Sequence, residues 1–268
     1  QNFSQFEFLI CDDASNDGSW EWLESIYDPR ITLFRNEANK GLFPTLNFLC
    51  KNASGRLIKL WTQDDIMNPD CLSETVAFHH KYPGISFSYS ERQHINEEWQ
   101  FITSNDLKDF TPESIPKSLH DKIALFTGSI AGNISNVSIV KEKLEEVGYF
   151  DESMTIAADF DMWVRLTKDY DIGKIKKPLI KLRSHSGQLS RSPQYYIRHL
   201  KEEKKIFGEL MGRVNNELKD FGRRSILQRK HPLYFSFMLH ALRLGEGKIV
   251  KSFIRELSHN DNIILLGF

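Results

Sequence analysis

This chain of 268 residues holds no disulfide framework. Its three cysteines, Cys11, Cys50 and Cys71, are odd in number and form no Cys-x-x-Cys pair. Scattered thiols of this kind suit a reducing compartment, so a cytoplasmic protein is expected. Long apolar runs are missing as well. No stretch of about 18 consecutive apolar residues occurs, which excludes an ordinary transmembrane helix. The sequence opens at Gln1 without a basic-then-apolar segment, so no signal peptide is expected. Net charge is −1, and nothing global points to a nucleic-acid partner. No glycine-rich, basic phosphate loop follows the first apolar run, which argues against a nucleotidyltransferase. Internal repeats and low-complexity linkers are also absent.

What remains is an ordinary globular composition. Hydrophobic residues make up 40% and charged residues 26%, enough for a core in one large domain plus an annex. Phe6 to Cys11 is a short, fully apolar strand pattern, and Ser15, Asp17 or Ser19 can cap a helix from Trp20 to Tyr27. A strand at 31–34 follows. Asn39-Lys40-Gly41 then suits unusual backbone angles, and a helix over 42–53 puts Leu42, Leu46, Leu49 and Cys50 on one stripe. A strand at 56–60 and a helix at 69–81 continue the alternation, which predicts a parallel sheet covered by helices.

Further on, 85–89 alternates as a strand, and 91–118 is polar and irregular with a hairpin strand near Trp99 to Ile102. A helix near 119–126, a strand near 133–140 and a short helix near 140–147 follow. Residues 159–168 suit an amphipathic helix, and 171–177 and 179–183 suit two strands broken by Pro178. Beyond about 190 the composition turns to helix formers, so the expected domains are 1–190 and a helical 191–268.

Carboxylates gather where strands end or helices begin: Asp12-Asp13, Asp64-Asp65 and Asp159-x-Asp161. Each alone suits a solvated turn or a helix cap. Two adjacent pairs after two successive buried strands suit a ligand crevice at the carboxyl edge of a sheet. A divalent cation or ligand hydroxyls would relieve the repulsion within each pair.

At this point the sequence resembles a known family, the family 2 inverting glycosyltransferases with the GT-A nucleotide-sugar fold. Phe6 to Ser19 is similar to that family's FEIIVVDDGSTDGS segment, Asn36 to Asn47 to its N-x-G…N segment, and Gly55 to Leu72 to its segment with DD and P-D. Gly148 to Ser153 resembles GGFDES, Ala158 to Leu166 resembles EDYDLWLRL, and Arg183 to Ser190 resembles R-x-H-x-x-S-x-S. Six segments in family order cover roughly residues 5–190. The resemblance implies an α/β GT-A three-layer sandwich with a mainly parallel sheet and a C-terminal helical region.

It also implies roles. Asp13 would hydrogen-bond the nucleotide base, with Asp12 and Lys40 completing that part of the donor site. Asp64 would meet the ribose or diphosphate side. Asp65 would bind the divalent cation, manganese or magnesium, with His185 as a second candidate ligand. Asp159 would be the general base on the acceptor hydroxyl. Arg165, six residues on, is expected to be structural.

The pattern departs from the family in three places. A first strand and helix about 30 residues long would lie upstream of Phe6, so a chain lacking them is expected. The usual DxD is here Thr62-Gln63-Asp64, and the usual ED pair is Ala158-Asp159. The leading function is therefore transfer of a sugar from a nucleotide-diphosphate donor to a glycan or lipid-linked acceptor in cell-surface polysaccharide synthesis. The alternative is an inactive nucleotide- or glycan-binding domain of the same fold. Acceptor recognition is expected in 91–135, where Asn133 and Asn136 are either readers or plain turn residues.

Two readings are open for the tail. Residues 198–230 hold ten Lys/Arg against five Asp/Glu, and apolar Leu233 to Leu239 follow. The apolar helix either packs on the domain with its charges solvated, or makes peripheral contact with an anionic membrane.

Overall fold

The computed structural model describes residues 1–102, 111–185, 187 and 192–258. It divides into two compact units: Gln1–His120 with Ser129–Ser184, and Asp121–Gly128 with the described residues from His185 on.

The first unit begins with β1 (Phe8–Asp12), α1 (Ser19–Glu24) and β2 (Ile31–Arg35), a crossover that lets the strands pair in parallel with Phe8 opposite Ile31 and Asp12 opposite Arg35. Gly18, at φ 88°, supplies the left-handed residue from which α1 starts. Helix α2 (Leu42–Asn52) buries Phe43, Leu46, Asn47 and Cys50. Its inward face is turned slightly from the expected stripe: Leu42, in the first turn, is 38% exposed and Phe43 takes its place.

A second sheet holds the other strands: β3 (Leu57–Lys59), β4 (Ile66–Met67), β5 (Phe87–Ile95), β6 (Phe101–Ile102), β7 (Ser114–Ile115), β8 (Val137–Val140) and β9 (Ile172–Arg183). The path runs β3-β8-β5-β9-β4, with β6 on β5 and β7 on β9. The α/β class and helical C-terminal region match the expectation, but the sheet is mixed instead of mainly parallel. Only β1–β2 and β5–β9 are parallel among the described pairings. The turn between β5 and β6 shows why. It spans only residues 96–100, and so short a link allows only an antiparallel return.

Pro178 does not split β9. It lies opposite Glu91, where the β5–β9 register shifts, so the missing N–H is absorbed in an irregularity of the ladder.

Helices α3 (Cys71–Lys81), α5 (Lys141–Val147) and α6 (Ala158–Leu166) belong to this unit, and α4 (Lys117–Thr127) begins in it. The main core gathers around Trp163 of α6, which is 1% exposed. Its ring lies 5.0 Å from Phe87 and meets Phe150 edge-on at 6.2 Å.

The second unit contains α7 (Tyr196–Gly212), α8 (Asn216–Arg243) and α9 (Gly247–Ser258). Its small core holds Tyr196, Leu200, Tyr234 and Phe253. Helix α8 runs on through Pro232, and the turn that precedes it ends where the Asn215 side chain caps the Leu218 amide at 2.9 Å.

His79 on α3 is buried and hydrogen-bonds Ser88 on β5 at 2.9 Å. Burial, helped by Arg56 and His80, pulls its imidazole down to about 4 from 6.5. Between those values the unfolded chain gains a proton that the folded one refuses. Stability is therefore kept above pH 6.5 and lost as pH falls toward 4. Denaturant titrations of the wild type and His79→Gln should show that the variant loses less stability between neutral pH and about pH 4.5, by roughly 2–3 kcal/mol. Parallel losses in the two proteins would refute this account.

Candidate active site

The first carboxylate pair closes β1. Asp12 is 5% exposed; it accepts the Ser15 amide at 3.3 and 3.2 Å and pairs with Arg35 at 3.3 Å. The turn passes through Ala14 at φ 64°, a left-handed residue that is not glycine. Asp13 points to the loop after β2. It accepts the Asn36 side chain at 2.7 Å, the Lys40 amide at 2.9 Å and the Gly41 amide at 2.8 Å. Burial alone would raise its carboxyl, but these three donors outweigh burial and hold it below the usual range. Gly41, at φ 88° and ψ 172°, takes a conformation that side chains disfavour while aiming its amide at Asp13. Lys40 joins this cluster through its backbone.

The second pair follows β3. Asp65 is 9% exposed, and each of its oxygens accepts one protein donor: the Arg183 amide at 3.0 Å and the Thr62 hydroxyl at 3.1 Å. The Thr62 hydroxyl also lies 2.7 Å from the Ser135 hydroxyl, and the Thr62 amide donates to the same Ser135 oxygen at 3.1 Å. Arg183 donates its Nε to the Asp64 carbonyl at 3.0 Å. Residues from the β3–β4 loop, the turn before β8 and the end of β9 thus converge on one carboxylate. Beneath them Lys59 donates to the Ser135 and Val137 carbonyls, and burial lowers its ammonium to about 8.

The third carboxylate, Asp159, sits half-buried in the first turn of α6, with one oxygen accepting the Phe160 amide at 2.7 Å. Its neighbour Asp161 is 4% exposed and bound to Arg165 at 2.7 Å. Arg165 spends its remaining donors on the Val147 and Tyr149 carbonyls, both at 2.6 Å. That is the expected structural role. Asp161 is thereby committed to Arg165.

The Gly148 to Ser153 segment is tied down by Asn47 of α2. The Asn47 amide group donates to the Phe150 carbonyl and Glu152 and accepts the Phe150 amide, at 2.8 to 3.0 Å. Asn133 caps the Ser135 amide at 2.8 Å, and buried Asn136 is spent on Ser90 and Ala131, so both act as turn residues. His185 stands two residues beyond β9 and is counted with the second unit. Ser186 and 188–190 of its segment lie outside the described residues.

Three contributors carried no assigned role in the sequence. Ser135 and Thr62 are 73 residues apart, and Asn47 and Phe150 are 103 apart. Arg183 was visible only as the first letter of a motif.

Among the described residues, no group of three or more His, Cys, Asp or Glu side chains is placed to hold a metal ion. A cation here would be held as magnesium often is, by one or two carboxylates together with substrate phosphate oxygens. Asp64 and Asp65 provide suitable hard oxygen donors, and each Asp65 oxygen keeps a lone pair beyond its one bond.

A mixed sheet flanked by helices, with carboxylates at strand ends, defines the class: a nucleotide-sugar transferase fold. Solved structures agree. Residues 1–349 of Staphylococcus aureus TarS in complex with UDP superpose with a TM-score of 0.60 at 17% identity, over 85% of this chain and 63% of that one. GalNAc-T7 with UDP, GalNAc and Mn2+ gives 0.56 at 15% identity, over 95% and 51%.

The glycosyl transferase family 2 model matches residues 1–138, and the chain belongs to that family. Its relatives include the putative colanic acid biosynthesis glycosyl transferase WcaA of Escherichia coli, 26% identical over 73% of this chain and 69% of that protein. Another is the E. coli UDP-Glc:alpha-D-GlcNAc-diphosphoundecaprenol beta-1,3-glucosyltransferase WfgD, 26% identical over 79% and 77%. An uncharacterized glycosyltransferase of Rickettsia conorii is 28% identical over 71% of this chain, which spans 31% of that protein's length.

Ser135→Ala removes the acceptor for the Thr62 amide and the hydroxyl paired with the Thr62 side chain. We expect a stability loss of about 1–2 kcal/mol by denaturant titration, the usual cost of a stranded buried donor. Unchanged stability would mean that water replaces the hydroxyl without cost.

Proposed function

We propose that this chain transfers a sugar, with inversion, from a nucleotide-diphosphate donor to a hydroxyl of a glycan or lipid-linked acceptor during cell-surface polysaccharide synthesis, at the cytoplasmic side of the membrane. The observation that carries the reading is the pinned Asp64-Asp65 pair in the loop between β3 and β4, inside the residues matched by the family model. Family membership, the colanic acid name of WcaA and the donor and lipid-diphosphate acceptor in the name of WfgD support it. So do the UDP and Mn2+ in the titles of structures with this fold.

In this reading Asp13, held ionised by its three donors, accepts a hydrogen bond from the base, and Asp12 and Lys40 shape the same loop. Asp64 faces the ribose and diphosphate. Asp65 would hold the divalent cation, which would offset charge developing on the leaving diphosphate. Asp159 takes the proton from the acceptor hydroxyl as the new C–O bond forms and the sugar–phosphate bond breaks on the opposite face. Donor turnover with UDP-sugars and manganese tests the assignment. Asp159→Asn should keep UDP affinity and lose turnover by about a hundredfold or more. Asp65→Asn should lose the manganese-dependent part of UDP affinity. Turnover near wild type in Asp159→Asn would overturn the base assignment.

The peripheral membrane contact is assigned to the helical unit. Residues 198–258 hold fourteen Lys/Arg against seven Asp/Glu, in a chain whose net charge is −1. Phe235, Leu239 and Leu242 stand exposed at helical spacing on α8, beside exposed Arg243. Among the described residues no helix is long and apolar enough to cross a membrane, so the contact is peripheral. Sedimentation with phosphatidylglycerol vesicles should show salt-sensitive binding that the double variant Phe235→Glu/Leu239→Glu loses. Equal binding by both proteins would exclude this face.

A further inference from the structure

The hairpin formed by β5 and β6 ends in an exposed aromatic pair beside the carboxylate site. Ile95 pairs with Phe101 and His94 with Ile102. The tip is tightly built: the Asn96 side chain accepts the Glu98 amide at 3.1 Å and the Gln100 amide at 2.8 Å, and the Asn96 amide donates to the Gln100 carbonyl at 3.0 Å. This places Trp99 at φ 66°, in the left-handed region that a bulky side chain enters only when its surroundings force it. The indole nevertheless stays 62% exposed, and Phe101 is 61% exposed.

Arg183 connects this tip to the carboxylates. Its amide is bonded to Asp65 and its Nε to the Asp64 carbonyl, and its guanidinium carbon lies 3.9 Å from the centre of the Trp99 ring. Lys181 similarly covers the Phe101 ring at 5.2 Å. One face of the indole is therefore taken by a cation that is itself held by the active-site loop, which fixes the ring. The large exposed remainder, with exposed Phe101 and Ile102 on the same hairpin, is a rigid apolar plate at the edge of the site.

We propose that Trp99 is an acceptor-side platform on which a pyranose ring of the acceptor glycan stacks. A pyranose presents an apolar C–H face to an aromatic ring and hydroxyls at its rim. Exposed Glu97, Glu98 and Gln100 surround the plate with partners for those hydroxyls. The same two glutamates disfavour the anionic nucleotide, so the plate suits a neutral sugar better than the donor base. Arg183 then couples the two halves of the site, since the residue that positions Asp65 also positions the acceptor plate. This inference rests on the glycosyltransferase reading above.

Saturation-transfer NMR with the methyl β-glycosides of glucose, galactose and N-acetylglucosamine at millimolar concentration, beside calorimetry with UDP, tests the platform. The wild type should saturate ring protons of at least one glycoside. Trp99→Ala should cut that signal about fivefold or more, since aromatic stacking contributes on the order of 1 kcal/mol. Trp99→Phe should retain most of it, and UDP affinity should be equal in all three proteins. No saturation with the wild type, or equal saturation with Trp99→Ala, overturns the proposal. A matching loss of UDP affinity in Trp99→Ala would assign the indole to the donor instead, and also overturns it. Absence of UDP binding in the wild type, with a Trp99-dependent sugar signal intact, would remove the transferase reading and leave the platform standing.

Discussion

A buried carboxylate has to be satisfied by donors, and in this molecule one such group draws several distant segments together. Asp65 is 9% exposed, and its donors come from the loop after β3 and from the last residue of β9. Ser135 holds the Thr62 donor in place, and Lys59 holds the Ser135 carbonyl from below. Leaving such a charge without partners would cost several kcal/mol, comparable to the whole stability of a domain. The geometry around Asp65 is therefore a condition for folding as well as for chemistry.

The helix that carries Asp159 follows the same logic. Helix α6 is the most deeply buried helix of the first unit, anchored by Phe160, Met162, Trp163 and Leu166. Asp161 is consumed by Arg165, which in turn holds the Val147 and Tyr149 carbonyls. The half-buried Asp159 thus sits on a helix that is packed into the core and tied down by the Asp161–Arg165 pair. Precision at that carboxylate comes from packing several ångströms away.

Much of this was legible in the sequence. The alternation of apolar runs with amphipathic stretches located β1, β2, α2, β3, α3 and α6, and the carboxylates at their ends stood out by position. The hairpin strand near Trp99 to Ile102 was legible and became β6, but the rest of the mixed sheet was not, because β4 and β7 are two residues long and carry no periodicity. Pro178 looked like a break. In the fold it sits at a register shift inside one strand, a tertiary outcome that local preference does not encode. Ser135, Asn47 and Arg183 act on residues far away in the chain, and single-sequence patterns are blind to such pairs. The residues quoted from the family motifs were informative as a set. In the structure Asn47 and Asp161 are bound to the Gly148 to Ser153 segment and to Arg165, which are bracing contacts that the motifs did not announce.

The two sheets carry a kinetic implication. Among the described residues, the β1–β2 ribbon shares no strand pairing with the larger sheet. It is fastened at one end by the Glu7 carboxylate, which accepts the Ser54 and Gly55 amides, and at the other by the stitching of Asp13 to the loop at 36–41. A two-stranded ribbon has little cooperativity of its own, so its amides should exchange with solvent through local opening before the Trp163 core loosens. A ligand that engages Asp13 would have to close that ribbon to bind. Its measured affinity would then include the cost of closing, and its arrival would be registered as slowed exchange across β1 and β2.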